Sequence, residues 1–110
     1  MEVIIRKSKK PDKKYDAVID GKKTVSFGAT GYSDYTQHKD TARKQRYLDR
    51  HKRNENWKDP KTAGFYATHV LWNKPSITAS IADINKKFKH ITVKLARSSF
   101  GVFVVFFAGR

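Results

Sequence analysis

The segment YDAVIDGKKTVSFG, residues 15–28, decides the fold. It contains two runs of β-prone residues on either side of Asp20-Gly21, and an Asp-Gly pair in this setting is the strongest short signal for a β-hairpin. The run VIIRK near the N-terminus has the same β-branched character. We therefore predict an N-terminal antiparallel sheet with strands near residues 2–7, 15–20 and 23–27.

A basic segment, HKDTARKQRYLDRHKRNENW at residues 38–57, follows the predicted sheet. Asp40 or Thr41 can cap the start of a helix, because their side-chain oxygens accept hydrogen bonds from the free N–H groups of the first turn. Asn54 is a residue that commonly ends a helix. The pattern predicts a helix that runs to about Arg53.

Four arginines of this helix fall within an arc of roughly 80° when each residue advances the helix by about 100°. We call this set the arginine ridge: Arg43, Arg46, Arg50 and Arg53. Tyr47, Leu48 and His51 lie on the neighbouring arc, and we expect them to pack against the rest of the protein.

Two more helices are predicted after this segment. PKTAGFYATHVLW, residues 60–72, follows a proline suited to a first helical turn. Apolar residues then recur with helical spacing from Ile77 to Phe88, after a capping Ser76. The last segment, residues 90–108, contains ITVKL and VFVVFF, and both favour strands.

The predicted fold is α+β, with a small antiparallel sheet that joins the N-terminal strands to the C-terminal strand segment and three helices packed on it. We expect a single domain over residues 1–110, with N-terminal strands in 1–28 and a helical region in 39–88.

The charge of the chain points to a polyanionic partner. The formal net charge is +14, and residues 38–58 alone carry eight basic and three acidic side chains. Such an excess favours nucleic acid as a partner, with an anionic membrane surface as the second choice. No apolar run reaches the length of a signal-peptide core near the N-terminus or of a membrane span at the C-terminus. These features predict a protein that is not secreted and has no membrane span.

The sequence predicts a non-enzymatic protein without a cofactor. His38-Lys39-Asp40 does not have the H-x-K-x-x-x-x-D spacing of the phospholipase-type phosphodiesterases. The acidic residues are scattered, so no pair of carboxylates suggests acid–base catalysis. Cysteine is absent, which excludes Cys-ligated zinc. The histidines of the predicted helices, His51 and His69, are expected to be hydrogen-bonded structural residues rather than metal ligands.

The leading hypothesis is nucleic-acid binding, DNA first, through phosphate contacts with little base specificity. Trp57 is the aromatic residue expected at the surface, whereas Trp72 is expected in the core. An alternative stays open, in which the basic face binds acidic proteins and the apolar C-terminal segment forms a homodimer. The predicted nucleic-acid contacts are Lys39, Arg43, Lys44, Arg46, Arg50, Lys52, Arg53, Trp57 and Lys58.

Residues 27–81 also carry a specific series of motifs. They are FG-x-x-GYSDYT-x-HKD, YL-x-RH-x-x-NENW-x-DP-x-TAG and LWNKP-x-x-x-x-SI. In these motifs the chain resembles a family of small uncharacterised proteins encoded by nucleocytoplasmic large DNA viruses. The resemblance implies a viral protein of the virion or the infected cell, in the cytoplasm or nucleus, and it implies no particular activity. Under the alternative hypothesis, the chain would be a structural virion protein.

Overall fold

The computed structural model describes residues 1–96, which form a four-stranded sheet with helical segments packed on one face. The strands are β1 (Glu2–Lys7), β2 (Lys13–Ile19), β3 (Lys23–Ala29) and β4 (Thr92–Leu95). The helices are α1 (Tyr35–His38), α2 (Thr41–His51), α3 (Ala63–Tyr66) and α4 (Ile77–Lys87), and a π-helical turn, Ala67–Leu71, extends α3. The predicted α+β class and the small sheet are confirmed.

The predicted Asp-Gly hairpin joins β2 to β3. Asp20 and Gly21 have φ values of 51° and 68°, so both central residues are left-handed, as in a type I′ turn. The Lys22 N–H donates to the Ile19 carbonyl oxygen at 2.9 Å and closes the turn. The local sequence therefore sets the position of the turn, and the strands pair from Ile19 opposite Lys23.

The sheet has the order β3-β2-β1-β4 and is mixed rather than purely antiparallel. β1 is antiparallel to β2, but β4 runs parallel to β1, with Val93 opposite Val3. The chain enters β4 at the end of the sheet where β1 begins, and the Thr92 N–H donates to the Met1 carbonyl oxygen at 2.9 Å. The prediction of an all-antiparallel sheet was therefore wrong for this last pairing.

The core lies between the sheet and the helices. Val3 and Ile5 alternate with exposed or half-buried neighbours along β1, as expected for a strand with one buried face. The predicted stripe of α4 is confirmed, because Ile81 and Ile84 are buried in the same cluster and Ile77 and Phe88 pack against it. The other large buried side chains of this cluster are Ile19, Phe27, Phe65, Tyr66, Val70, Leu71, Ile91 and Val93.

The helical region differs from the prediction in two places. The helix predicted over residues 60–72 begins only at Ala63, because the Thr62 hydroxyl caps it by accepting from the Phe65 N–H at 3.2 Å. The unexpected helix α1 begins after Asp34, which forms a capping box with Gln37. The described part of the chain thus has four helices rather than three.

Among residues 1–96, β4 is an edge strand of the sheet, and Asn85 of α4 covers part of that edge. Its side-chain nitrogen donates to the Val93 carbonyl oxygen at 2.9 Å, and its side-chain oxygen accepts from the Val93 N–H at 2.7 Å. This amide therefore occupies the positions that a neighbouring strand would use. The second strand predicted in the C-terminal segment, VFVVFF, lies outside the described residues.

The Tyr66 hydroxyl is buried and has no hydrogen-bond partner among residues 1–96, and burial raises the pKa of Tyr66. An unpaired buried hydroxyl destabilises the folded state. We expect Tyr66→Phe to raise the free energy of unfolding by about 0.5–1 kcal/mol in urea denaturation followed by circular dichroism. A loss of stability instead would mean that the hydroxyl has a partner.

Candidate nucleic-acid interface

Helix α2 holds most of the arginine ridge. The Asp40 carboxylate caps it, accepting from the N–H groups of Ala42 at 3.0 Å and Arg43 at 3.2 Å. These bonds, that of Arg43 first, lower the pKa of Asp40. The regular helix ends at His51, two residues earlier than predicted, so Arg53 lies in the turn that follows.

All four arginines of the ridge are exposed. Among residues 1–96, none of them forms an ion pair with a carboxylate. Asp49, the acid on the same helix, accepts from Gln45 at 3.0 Å and lies 3.9 Å from Lys52 Nζ. The ridge therefore presents unneutralised guanidinium groups, which suit bidentate contact with phosphate.

The predicted lysine contacts divide into two kinds. Lys39, Lys52 and Lys58 are exposed. Lys44 is half-buried: its Nζ donates to the Asn73 carbonyl oxygen at 2.6 Å and lies 5.0 Å from the centre of the Tyr35 ring. Burial lowers the pKa of Lys44. The structure thus gives Lys44 a contact that joins α2 to the residues after the π-helical turn.

Trp57 is half-buried rather than fully at the surface. Its Nε1 donates to Glu55 Oε1 at 2.8 Å, and its carbonyl oxygen lies 2.8 Å from His69 Nε2. Because a carbonyl can only accept, Nε2 of His69 carries the proton. Trp57 is therefore fixed by its neighbours, which makes its ring a weaker candidate for base stacking than the sequence suggested.

Three aromatic rings stack along the packing side of α2. Tyr47 lies between Trp72, at a centroid distance of 4.2 Å and an interplanar angle of 3°, and His51, at 4.1 Å. Burial raises the pKa of Tyr47 to about 12. The prediction that Tyr47, Leu48 and His51 pack inward is confirmed, since all three are half-buried. Trp72 is also half-buried and packs against the core.

A cleft of about 380 Å³ opens between the arginine ridge and β2–β3. Arg43 and Arg50 line it on the α2 side, whereas Arg46 and Arg53 do not. Gly28 permits the close approach that shapes this cleft: its φ is +78°, and a Cβ there would lie 2.7 Å from Leu71 Cδ1. We call this space the ridge cleft.

A second cleft of about 660 Å³, the loop cleft, lies between the β1–β2 connection and the β3–α1 connection. Lys7, Lys10 and Lys13 line it, and the lining of the ridge cleft also includes Lys13. Tyr32 lines both clefts as well, and its side chain is 75% exposed. The two clefts are thus neighbours, and the residues that line both are Lys13, Tyr32 and the Lys14–Asp34 ion pair.

Sequence reasoning did not place Lys7, Lys10, Lys13 or Tyr32 at the candidate site. The basic run KKPDKK was visible, and so were the glycines on either side of Thr30. Gly28 and Gly31 have positive φ values, and Tyr32, which follows Gly31, lines the same clefts as Lys13. The two glycines just before Tyr32 were the sequence signal that could have predicted a turn at this point.

His69 is the structural residue that the sequence predicted, because it is half-buried, hydrogen-bonded to Trp57, and has a pKa lowered by burial. His51 pairs with Glu55 at 2.9 Å. No group of three metal-binding side chains occurs in the described part of the chain.

Within the same part, the helices are too short or too polar to cross a membrane.

Residues 3–51 match the model of a protein family of unknown function, DUF5754. The matched segment includes β1 to β3, α1 and α2, and with them most of the lining of both clefts. Neither the curated proteins nor the solved structures contain a match to this chain. The match covers less than half of the chain, and the family it names has no known function.

Proposed function

We propose that this chain is a non-enzymatic nucleic-acid-binding protein that grips the phosphate backbone through the arginine ridge. DNA is the first candidate ligand, and recognition depends little on base sequence. The resemblance to proteins of large DNA viruses makes the virion or the infected cell part of the same proposal.

The observation that carries the proposal is the exposed arginine ridge, which forms no ion pair with a carboxylate within residues 1–96. A surface helix usually intersperses acids and bases, so its cations are partly neutralised by i,i+4 neighbours. Here Arg43, Arg46 and Arg50 share one face of a capped helix, and Arg53 follows directly. The exposed Lys39 and Lys52 flank the two ends of α2, and the exposed Lys58 follows further along the chain.

The competing function is a structural virion protein that docks the same face on acidic proteins. Helical spacing alone does not separate the two, because carboxylates and phosphates are both bound by guanidinium groups. Nucleic acid adds a condensed counterion layer, and its release gives binding a steep and linear dependence on salt. The salt dependence is therefore the property to measure.

We expect a slope of roughly −4 to −5 in log K against log salt if four to six phosphates are contacted on duplex DNA. Arg46→Gln/Arg50→Gln should reduce the steepness of the slope by about two and weaken binding to any sequence alike. Fluorescence anisotropy with two unrelated duplexes across a salt series measures both quantities. The fold should survive, because both side chains are exposed.

Lys86→Gln/Lys89→Gln is the matched control, because it removes the same charge at exposed positions at and just beyond the end of α4. If both double variants weaken binding equally, the net charge rather than the ridge is responsible. If the ridge variant binds like the parent with the same slope, the proposed function is wrong. A poly-glutamate competitor that displaces DNA at an equal charge concentration would favour docking on acidic proteins.

A further inference from the structure

We infer that the two clefts bind single-stranded nucleic acid and that Tyr32 stacks on an unpaired base. The inference rests on the proposed function and names its ligand class. It follows from three features of the described residues: an exposed aromatic ring, cations in both of the clefts that this ring borders, and clefts of the size that a nucleotide requires.

Tyr32 differs from the other aromatic side chains of the site. The rings of Tyr47 and Trp72 stack on each other, and Trp57 is fixed by Glu55. Tyr32 is 75% exposed and has no aromatic partner in the part of the chain that the structure describes. A ring left in water with a free face is suited to stacking on a base, since every base offers a π-face.

The position of Tyr32 is fixed by the residues around it. Two residues further on, the Asp34 carboxylate is buried and accepts from Lys14 Nζ at 2.6 Å. On the other side, Thr30 donates its hydroxyl to the Pro11 carbonyl oxygen at 3.0 Å, and its N–H donates to the Asp12 carbonyl oxygen at 3.2 Å. The ring is therefore presented by a segment that is attached at both ends.

Cations line both of the clefts that Tyr32 borders. Arg43 and Arg50 line the ridge cleft, Lys7 and Lys10 line the loop cleft, and Lys13 lines both. A strand that passes over Tyr32 could thus place phosphates on each side of a stacked base. The cleft volumes of about 380 and 660 Å³ fall within the range of pockets that hold small organic ligands, so each has room for a base.

A duplex cannot use this arrangement fully. Its bases are stacked on each other, so their π-faces are not available to a protein ring unless a base is first unstacked. A single strand has unpaired bases and follows a basic groove with aromatic platforms. The arginine ridge alone suits both duplex and single-stranded nucleic acid, whereas Tyr32 and the two clefts suit a single strand.

The test compares a labelled 20-nucleotide single strand of mixed sequence with the same strand annealed to its complement, by fluorescence anisotropy at fixed salt. The parent should bind the single strand more tightly. Tyr32→Ala should weaken single-strand binding by about 5- to 150-fold and leave duplex binding unchanged. Tyr32→Phe should bind like the parent, because it keeps the π-face. Leu95→Ala is the matched control, an exposed apolar residue on β4, at the sheet edge opposite β3.

The outcomes separate this inference from the proposed function. If Tyr32→Ala binds the single strand like the parent while Arg46→Gln/Arg50→Gln still weakens it, the inference is wrong and the proposed function stands. A parent that prefers the duplex would also overturn the inference. If neither nucleic acid shows a dependence on the ridge arginines, both proposals fail. Circular dichroism of each variant verifies that the fold is retained.

Discussion

Asp34→Ala should lower the free energy of unfolding by about 3–4 kcal/mol. The Asp34 carboxylate is buried, pairs with Lys14 Nζ at 2.6 Å, and caps α1 by accepting from the Thr36 N–H at 2.9 Å. Removing the carboxylate leaves the largely buried Lys14 ammonium with Gln37 Oε1, 2.9 Å from its Nζ, but without the carboxylate that balances its charge. The substitution also removes the cap of α1. Breaking a buried ion pair is costly because the remaining charge loses its compensation.

Urea denaturation followed by circular dichroism measures this loss. Asp34→Asn is the matched control, because its side-chain oxygen can still cap α1 while the negative charge is gone, and we expect an intermediate loss. If Asp34→Ala costs less than about 1 kcal/mol, Lys14 is solvated well enough to lose its partner at little cost. Because Tyr32 lies two residues before Asp34, the alanine variant should also weaken single-strand binding.

The second large effect concerns Phe65, for which we expect a loss of about 4 kcal/mol on replacement with alanine. Phe65 is fully buried, and its ring lies 5.0 Å from Tyr66, 4.5 Å from His69 and 5.2 Å from Phe88 between ring centroids. The variant loses both the burial of the ring and the aromatic contacts, and a cavity remains. A domain of this size has little stability beyond such a loss.

Thermal unfolding followed by circular dichroism and tryptophan fluorescence tests the Phe65 prediction. Fluorescence is informative here because His69, which packs on Phe65, bonds the Trp57 carbonyl oxygen. Phe65→Leu keeps most of the volume and should cost about 1–1.5 kcal/mol. Equal losses in the two variants would indicate that the site collapses around the smaller side chain, contrary to the close packing of this cluster.

The elements that the sequence predicted well are those with local causes. The hairpin follows from Asp20 and Gly21, whose backbones adopt left-handed conformations readily. The start of α2 follows from Asp40, and the buried face of α4 follows from its apolar spacing. Each of these signals acts over a few residues, so no knowledge of distant parts of the chain is needed.

The features that the sequence missed depend on distant contacts. The parallel pairing of β4 joins Val93 to Val3 across most of the chain, and the role of Lys44 depends on the carbonyl of Asn73. One difference has a local cause instead: the helix after Pro60 begins only at Ala63 because the neighbouring Thr62 caps it.

The candidate site shows the same division between local and distant causes. The ridge was visible from helical spacing, whereas the place of Tyr32 depends on the turn at Gly28 and Gly31 and on the approach of the β1–β2 connection. Periodicity cannot predict that approach. Exposure, in contrast, follows from the charge of the ridge side chains, and the four arginines are exposed as expected.

The bond pair between Asn85 and Val93 affects how this sheet can meet other β-strands. An edge strand with free N–H and C=O groups is a template for pairing between molecules, and proteins protect such edges from aggregation. At Val93 both groups are already bound by the Asn85 amide. A strand from another molecule would have to displace that amide before it could extend the sheet there, so a single side chain protects the middle of β4 against edge-to-edge growth.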